Sequence, residues 1–478
     1  MARLVIVSNR LSLPSGNPSR AGGLAVAVHE AMRDKGGLWF GWSGETSLTP
    51  ADKPRMITKG KITYAAVDLS PTEHALYYTG YANATLWPLL HYRLDLVEYR
   101  RDSMRAYYDV NRRFAAMLAP LIQPDDLIWV HDYHLIPLGS ELRALGLRNR
   151  IGFFMHTPFP PADIVMALPR HTTLIEAMCA YDLVGLHTAD HLRAFLGCIT
   201  EIAGGTVRAD GGFTAFGRRS RAAAFPIGID TQGFVALAQG AAGSNEMQRL
   251  EESLSGRHLI LGVDRLDYTK GIPQRFEAIE TLLSDWPEHR RHFNYLQITP
   301  YSREEVRQYR ALRRDMEKLA GHVNAKFAEF DWVPIRYINK SFTRATLSGF
   351  LRRARVGLVT PLRDGMNLVA KEYVAAQNPD DPGVLVLSCF AGAAKELDAA
   401  LLVNPIDLDA IAASLQRALT MPLEERRERW RAMMDVVEGN TVATWCANFI
   451  AALMATTPIA DEQADDDSRS PLDPLLTA

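Results

Sequence analysis

Cysteine is scarce in this chain. Four residues in 478 (Cys179, Cys198, Cys389 and Cys446) lie far apart with no Cys-x-x-Cys pair. That argues against a disulfide framework and against a zinc site, and fits a reducing compartment. An excess of one charge is also missing: the formal net charge is −2, which gives no pull toward nucleic acid or an anionic membrane. Long apolar runs are absent as well. The opening Met-Ala-Arg-Leu-Val-Ile-Val-Ser-Asn-Arg is too short in its apolar part for a signal peptide and reads as a first strand. The stretch from Cys446 to Ala455 is shorter than a membrane span and carries Asn448, so it reads as a buried helix. A cytoplasmic protein without a membrane or nucleic-acid partner is expected. No fixed-period repeat occurs, and the absence of Gly-x-Gly-x-x-Gly after the first strand removes a nicotinamide or flavin fingerprint.

What is present is the composition of a soluble globular protein, 47% hydrophobic and 23% charged. The length exceeds one core and implies two domains. Apolar runs, each followed by turn residues and then helix-period sequence, recur at Leu4–Ser8, Leu127–His131, Ile151–Met155 and Leu183–Leu186. They recur again at Leu259–Val263, Tyr295–Ile298, Val356–Val359, Val384–Leu387 and Ala400–Val403. Strands alternating with helices predict an α/β protein of two doubly wound, Rossmann-like domains facing a cleft. Phe225-Pro-Ile-Gly-Ile-Asp230 has linker punctuation. The expected domains are 1–227 and 228–438, with a helix over 439–456 packing back on the first. The acidic stretch 457–478 has no apolar face and is expected to be disordered.

The densest candidate site is Val356-Gly-Leu-Val-Thr-Pro-Leu-Arg-Asp364-Gly365-Met366-Asn367-Leu368-Val369-Ala-Lys371-Glu372. A buried strand runs into a polar elbow, where Gly365 allows a left-handed or tight turn, and a helix begins near Asn367. Open α/β sheets bind ligands at the carboxyl ends of their strands, and free amides at a helix start favour an anion. Glu372, a turn further in, suits a ligand hydroxyl. Asp264-Arg265-Leu-Asp267-Tyr-Thr-Lys270-Gly271 repeats the placement, with Arg265 and Lys270 converging on a phosphate-sized anion. Arg303 does so in Thr299-Pro-Tyr-Ser-Arg303.

In the first half, Arg10 follows the first strand, and Gly22 and Gly23 open a helix where backbone can approach a ligand. Asp132 and His156 close strand-like runs and face the expected cleft, whereas His134 reads as a structural histidine. His131 and His134 lack helical context and a third ligand, so no metal is expected. Trp39-Phe-Gly-Trp42-Ser-Gly and Tyr77-Tyr78…Leu86-Trp87-Pro88 place rings on loop-like stretches. Rings beside Arg and Asp suit a sugar, whose C–H faces pack on them.

These motifs, in this order, resemble the trehalose-6-phosphate synthases of glycosyltransferase family 20. Val7-Ser-Asn-Arg10, Ala21-Gly-Gly-Leu-Ala-Val26, Leu38-Trp-Phe-Gly-Trp-Ser-Gly44, Trp129-Val-His-Asp-Tyr-His134, His156-Thr-Pro-Phe-Pro160, Asp264 to Gly271 and Thr360 to Glu372 carry the resemblance from Arg3 to about Ala455. Thr157 departs from the aliphatic residue expected there. The resemblance implies a GT-B fold and a retaining, metal-independent transfer of glucose from UDP-glucose to glucose 6-phosphate, with no cofactor. It implies Arg10, Trp42, Tyr78, Trp87, Asp132 and Arg303 on the acceptor side. It implies Gly22, Gly23, Arg265, Lys270, Phe342, Asp364, Gly365, Met366, Asn367, Leu368, Val369 and Glu372 on the donor side. His156, Arg265, Lys270 and Asp364 are the expected catalytic residues, and a homo-oligomer is expected. Competing expectations are a same-scaffold transferase using GDP-glucose or glycerol 3-phosphate, and a silent sugar-phosphate sensor.

Overall fold

Short runs that are apolar on both faces become the centres of two sheets. Leu4–Arg10 (β1) is buried from Leu4 to Asn9 and pairs in parallel with Gly37–Thr46 (β2) and Leu127–His131 (β5). This is a computed structural model that describes residues 2–13, 32, 36–300 and 307–456. Among them, one compact unit comprises 2–13, 32, 36–225 and 446–456, and the other 226–300 and 307–445. The expectation drew these lines at 227/228 and 438/439.

The first unit adds Arg55–Lys59 (β3), Ile62–Leu69 (β4), Ile151–Phe154 (β6), Leu183–Leu186 (β7), Thr206–Val207 (β8), Gly212–Ala215 (β9) and Arg218–Ala224 (β10). The order is β3-β4-β2-β1-β5-β6-β7-β10-β9-β8, parallel from β4 to β10 with antiparallel strands at both edges. One face is covered by the end of the helix Val442–Met454, where Phe449 stacks on Trp129 at 4.4 Å. Gly152 and Gly185 make room for it, since a Cβ at either would come within 2.7 Å of the Phe449 ring. The close approach requires glycine in these strands.

The second unit holds His258–Val263 (β11), Phe293–Ile298 (β12), Ile335–Ile338 (β13), Val356–Val359 (β14), Val384–Ser388 (β15) and Leu401–Val403 (β16). They are all parallel, in the order β13-β12-β11-β14-β15-β16. The chain order reverses beside β11 and β14, the switch point at which such sheets bind ligands.

Three local expectations need correction. Trp39 to Gly44 is not a loop but the middle of β2, flanked on both sides by strands, so Trp39 and Phe40 are fully buried. Tyr77, Tyr78 and Trp87 sit on helix: a wide π-type helix over His74–Leu86 runs into Trp87–Leu90. Such widened helices are rare and gather at functional sites. The left-handed residue of the β14 elbow is Asn367, at φ 74°, and Gly365 lies outside that region. An asparagine tolerates this conformation better than most side chains. Among the described residues no helix is long and apolar enough to cross a membrane. The stretch 457–478 lies outside the described residues, as do Gly22, Gly23 and Arg303.

Candidate active site

In the first unit, the carboxyl ends of β1, β2, β5 and β6 carry one set of side chains. Arg10, the last residue of β1, is the register partner of Trp42 within β2, and the guanidinium lies 5.6 Å from the Trp42 ring centre. Gly44 gives it space, because a Cβ there would meet Arg10 Nε at 2.6 Å. The widened helix sets Tyr78 5.3 Å from Trp42, with His74 5.4 Å from Trp42 and 5.3 Å from Tyr78. From Tyr78 a row of rings continues through His134 (5.8 Å) and Tyr133 to Trp87, 5.7 Å from Tyr133. Arg10, Trp42, Tyr78 and Trp87 therefore belong to one aromatic wall bearing a cation. Sequence reasoning missed His74, because its link to Trp42 spans two elements.

Asp132 follows β5 with φ 76° and ψ 163°, a backbone seldom adopted by a side-chain-bearing residue. Its carboxylate accepts from the His156 amide at 3.2 Å. The His156 ring lies beside β5, its Nε2 3.0 Å from His131 Nδ1. Burial pushes the His156 imidazole down to about 3. Burial, then the neighbouring His156, holds His131 well below its usual range. Both rings are neutral at physiological pH, so His156 serves as a polar contact rather than a cation.

In the second unit, the loops after β11 and β14 meet. Leu362 N donates to Thr269 O at 2.8 Å. Gly271, at φ 62°, lies so near Thr360 that a Cβ would come within 2.3 Å of its carbonyl. Arg265 and Lys270, the two cations expected to face a phosphate-sized anion here, are each held by a carboxylate. Arg265 Nη2 is 3.1 Å from Asp267 Oδ2, whose side chain is fully buried and also accepts from Thr269 and Tyr309. Lys270 Nζ is 2.5 Å from Asp364 Oδ2, which also accepts from Asn367 Nδ2 at 3.0 Å. Met366 and Asn367 are buried and lead into the helix Leu368–Ala376, so Leu368 and Val369 form its first turn. The elbow is braced by the segment that follows β15: Asp364 N donates to Phe390 O at 3.2 Å, and a Cβ on Gly392 would meet Gly365 O at 2.0 Å.

Glu372 lies one turn into that helix, with Arg344 Nη2 4.0 Å away. Burial pushes its carboxyl up to about 7 against the pull of Arg344. Phe342, in the loop after β13, packs on Phe350 of the helix that carries Arg344. Beside Glu372, Lys371 is fully buried, 2.7 Å from Glu396 and 2.8 Å from Ile227 O. Among the described residues no three His, Cys, Asp or Glu side chains group as metal ligands. Asp407 of Asp407-Leu-Asp409 caps the following helix, accepting from Ala410 N at 2.9 Å.

The sequence profile of glycosyltransferase family 20 matches residues 4–455. The chain belongs to glycosyltransferase family 20. Relatives of this family 20 chain include the trehalose-6-phosphate synthase of Sinorhizobium fredii, 51% identical over 460 residues, 96% of this chain and 99% of that protein. The enzyme of Cronobacter sakazakii is 48% identical over 97% of both. Among solved structures, the UDP-forming α,α-trehalose-phosphate synthase of Burkholderia xenovorans in complex with glucose-6-phosphate superposes with a TM-score of 0.92. It is 48% identical, over 95% of this chain and 100% of that one. The Escherichia coli protein bound with UDP-2-fluoro glucose gives a TM-score of 0.91 at 47% identity, over 96% and 100%. The two parallel-sheet units are those of the GT-B fold. As a family 20 glycosyltransferase, the chain carries Arg10, Trp42, Tyr78, Trp87, Asp132 and His156 on one unit. Arg265, Lys270, Phe342, the elbow from Asp364 to Val369, and Glu372 lie on the other.

Proposed function

We propose that the chain transfers glucose from UDP-glucose to glucose 6-phosphate, releasing UDP and α,α-trehalose 6-phosphate. The observation that carries this reading is the likeness, over nearly the whole chain, to solved relatives bound to glucose-6-phosphate and to UDP-2-fluoro glucose. On this reading residues 1–227 carry most of the acceptor contacts and 228–438 most of the donor contacts. Arg10, with Arg303, takes the 6-phosphate; Trp42, Tyr78 and Trp87 pack on the sugar; Asp132 accepts from its hydroxyls, and His156 contacts the transferred glucose. Lys270 and Arg265 exchange their carboxylate partners for the diphosphate, and Glu372 holds a ligand hydroxyl. UDP release from UDP-glucose that depends on glucose 6-phosphate tests the reading. GDP release with GDP-glucose as the only accepted donor, UDP release with glycerol 3-phosphate as the only accepted acceptor, or no release at all, would overturn it.

Retention without a covalent intermediate is part of the same proposal. A double displacement needs a carboxylate free to attack the anomeric carbon. On this reading Asp132 serves the acceptor, Asp364 and Glu372 serve hydroxyls of the donor, and Glu372 is in addition held partly protonated near neutrality, which leaves no carboxylate to attack. Front-face attack instead asks the protein to stabilise the leaving diphosphate, which Lys270, Arg265 and the amides opening the 368–376 helix supply. Because these cations neutralise the diphosphate, full activity is expected to survive excess chelator, and quenched turnover to yield no glucosylated peptide. Loss of activity restored by magnesium, or a trapped glucosyl-carboxylate, would refute these two points. A cytoplasmic, self-associating protein completes the proposal, with light scattering after gel filtration as the check on assembly.

A further inference from the structure

We infer that Arg275 is a positioning residue that sets the two donor-side loops against each other and so governs affinity for the nucleotide diphosphate. This rests on the function proposed above. Arg275 lies on the helix Ile272–Asp285, and its side chain is fully buried. Its Nε donates to Thr360 Oγ1 at 3.0 Å, and Nη1 to Asp264 Oδ2 at 2.5 Å and Gln297 Oε1 at 3.2 Å. Its Nη2 donates to the carbonyl of Lys270 itself at 3.0 Å. The partners are the residues that immediately follow β11 and β14, a residue of β12, and the backbone of the cation assigned to the diphosphate.

Well-packed apolar side chains in place of both Arg275 and Asp264 would cost little stability, since a buried ion pair seldom stabilises more than good packing, whereas removing Arg275 alone would strand the buried Asp264 carboxylate. A planar fork with fixed donor directions does something packing does not: it prescribes the angles of every group it bonds. Burial, the largest single influence, would lower the guanidinium's pKa, but Asp264 and Tyr295 together turn the net direction upward, so the fork stays charged. Gly271 and Leu362 already bring the two loops into touch. Arg275 determines the register in which Lys270 reaches across to Asp364.

Arg275→Lys keeps a cation beside Asp264 but cannot also reach Thr360, Gln297 and the Lys270 carbonyl. Thr360→Val removes one acceptor and leaves the charges in place. Titration of UDP and, separately, of glucose 6-phosphate, well below each variant's melting temperature, decides the matter. Arg275→Lys is expected to weaken UDP by on the order of tenfold, as a displaced positioning contact does, and to leave glucose 6-phosphate unchanged. Thr360→Val should act in the same direction by a few-fold. The double variant should be no weaker than Arg275→Lys, because both changes cut one network. Unchanged UDP affinity, equal loss of both ligands, or additive effects would overturn the inference. Should Arg275→Lys not fold, Thr360→Val alone decides by the same UDP-against-glucose-6-phosphate comparison. Wild-type protein that fails to bind UDP would refute the proposed function instead, so the two failures are distinguishable.

Discussion

Removing the Lys270 ammonium is the most informative perturbation. Its Nζ and the Asp364 carboxylate are 2.5 Å apart, with side chains 14% and 15% exposed. In this geometry Asp364 is a competitor for the cation that the diphosphate must recruit. Lys270→Ala loses a charge-assisted hydrogen bond worth about 1.5–3 kcal/mol. That corresponds to roughly 10- to 150-fold weaker UDP. Because leaving-group charge grows in the transition state, kcat should fall further, on the order of 10²–10³. Asp364→Asn has the opposite sign for UDP: with its internal partner neutralised, Lys270 is released, and UDP should bind at least as tightly as in wild type. For UDP-glucose, Asp364→Asn should still be damaging, because a hydroxyl acceptor is weakened. Calorimetric titration of UDP at fixed ionic strength, with UDP release under saturating substrates, measures both. If Lys270→Ala left affinity and kcat within threefold of wild type, or if Asp364→Asn weakened UDP as much as Lys270→Ala does, the assignment of Lys270 to the diphosphate would be wrong.

Glu372 predicts a pH dependence with a definite sign. Its carboxyl is raised to about 7, so it is protonated below that pH and ionised above it. As an acceptor for ligand hydroxyls the ionised form is the stronger, and UDP-glucose affinity should rise through pH 7. Glu372→Gln should flatten the profile, and a profile unchanged in that variant would refute the assignment. His156, at about 3, and His131, well below its usual range, contribute nothing to that window. Arg10→Ala should weaken glucose 6-phosphate by about 1.5–3 kcal/mol with little effect on UDP, and Arg303→Ala should behave alike. Equal losses for both ligands, read from paired titrations, would contradict an acceptor-side role.

By itself the sequence determined those strands that are buried on both faces. Val356–Val359, Leu127–His131 and Leu183–Leu186 are legible because every residue in them is apolar or nearly so, and turn residues bound them. The same local logic placed the helix start beside Asn367, and ordered motifs at strand ends were enough to point to a family and to candidate residues. Strands whose burial is set by neighbours were not legible. Gly37–Thr46 is rich in glycine and tryptophan, and becomes a strand because β1 and β4 flank it. Arg218–Ala224 carries three arginines and is recruited by pairing with β7 and β9. The charges of the site belonged wholly to the tertiary structure. Lys270 and Asp364 are 94 residues apart in the chain and share one hydrogen bond. The burial that pushes the Glu372 carboxyl up to about 7, and the His156 imidazole down to about 3, comes from surrounding elements. Chemical identity and local period are written in the chain, whereas ion pairing and desolvation depend on distances that folding alone sets.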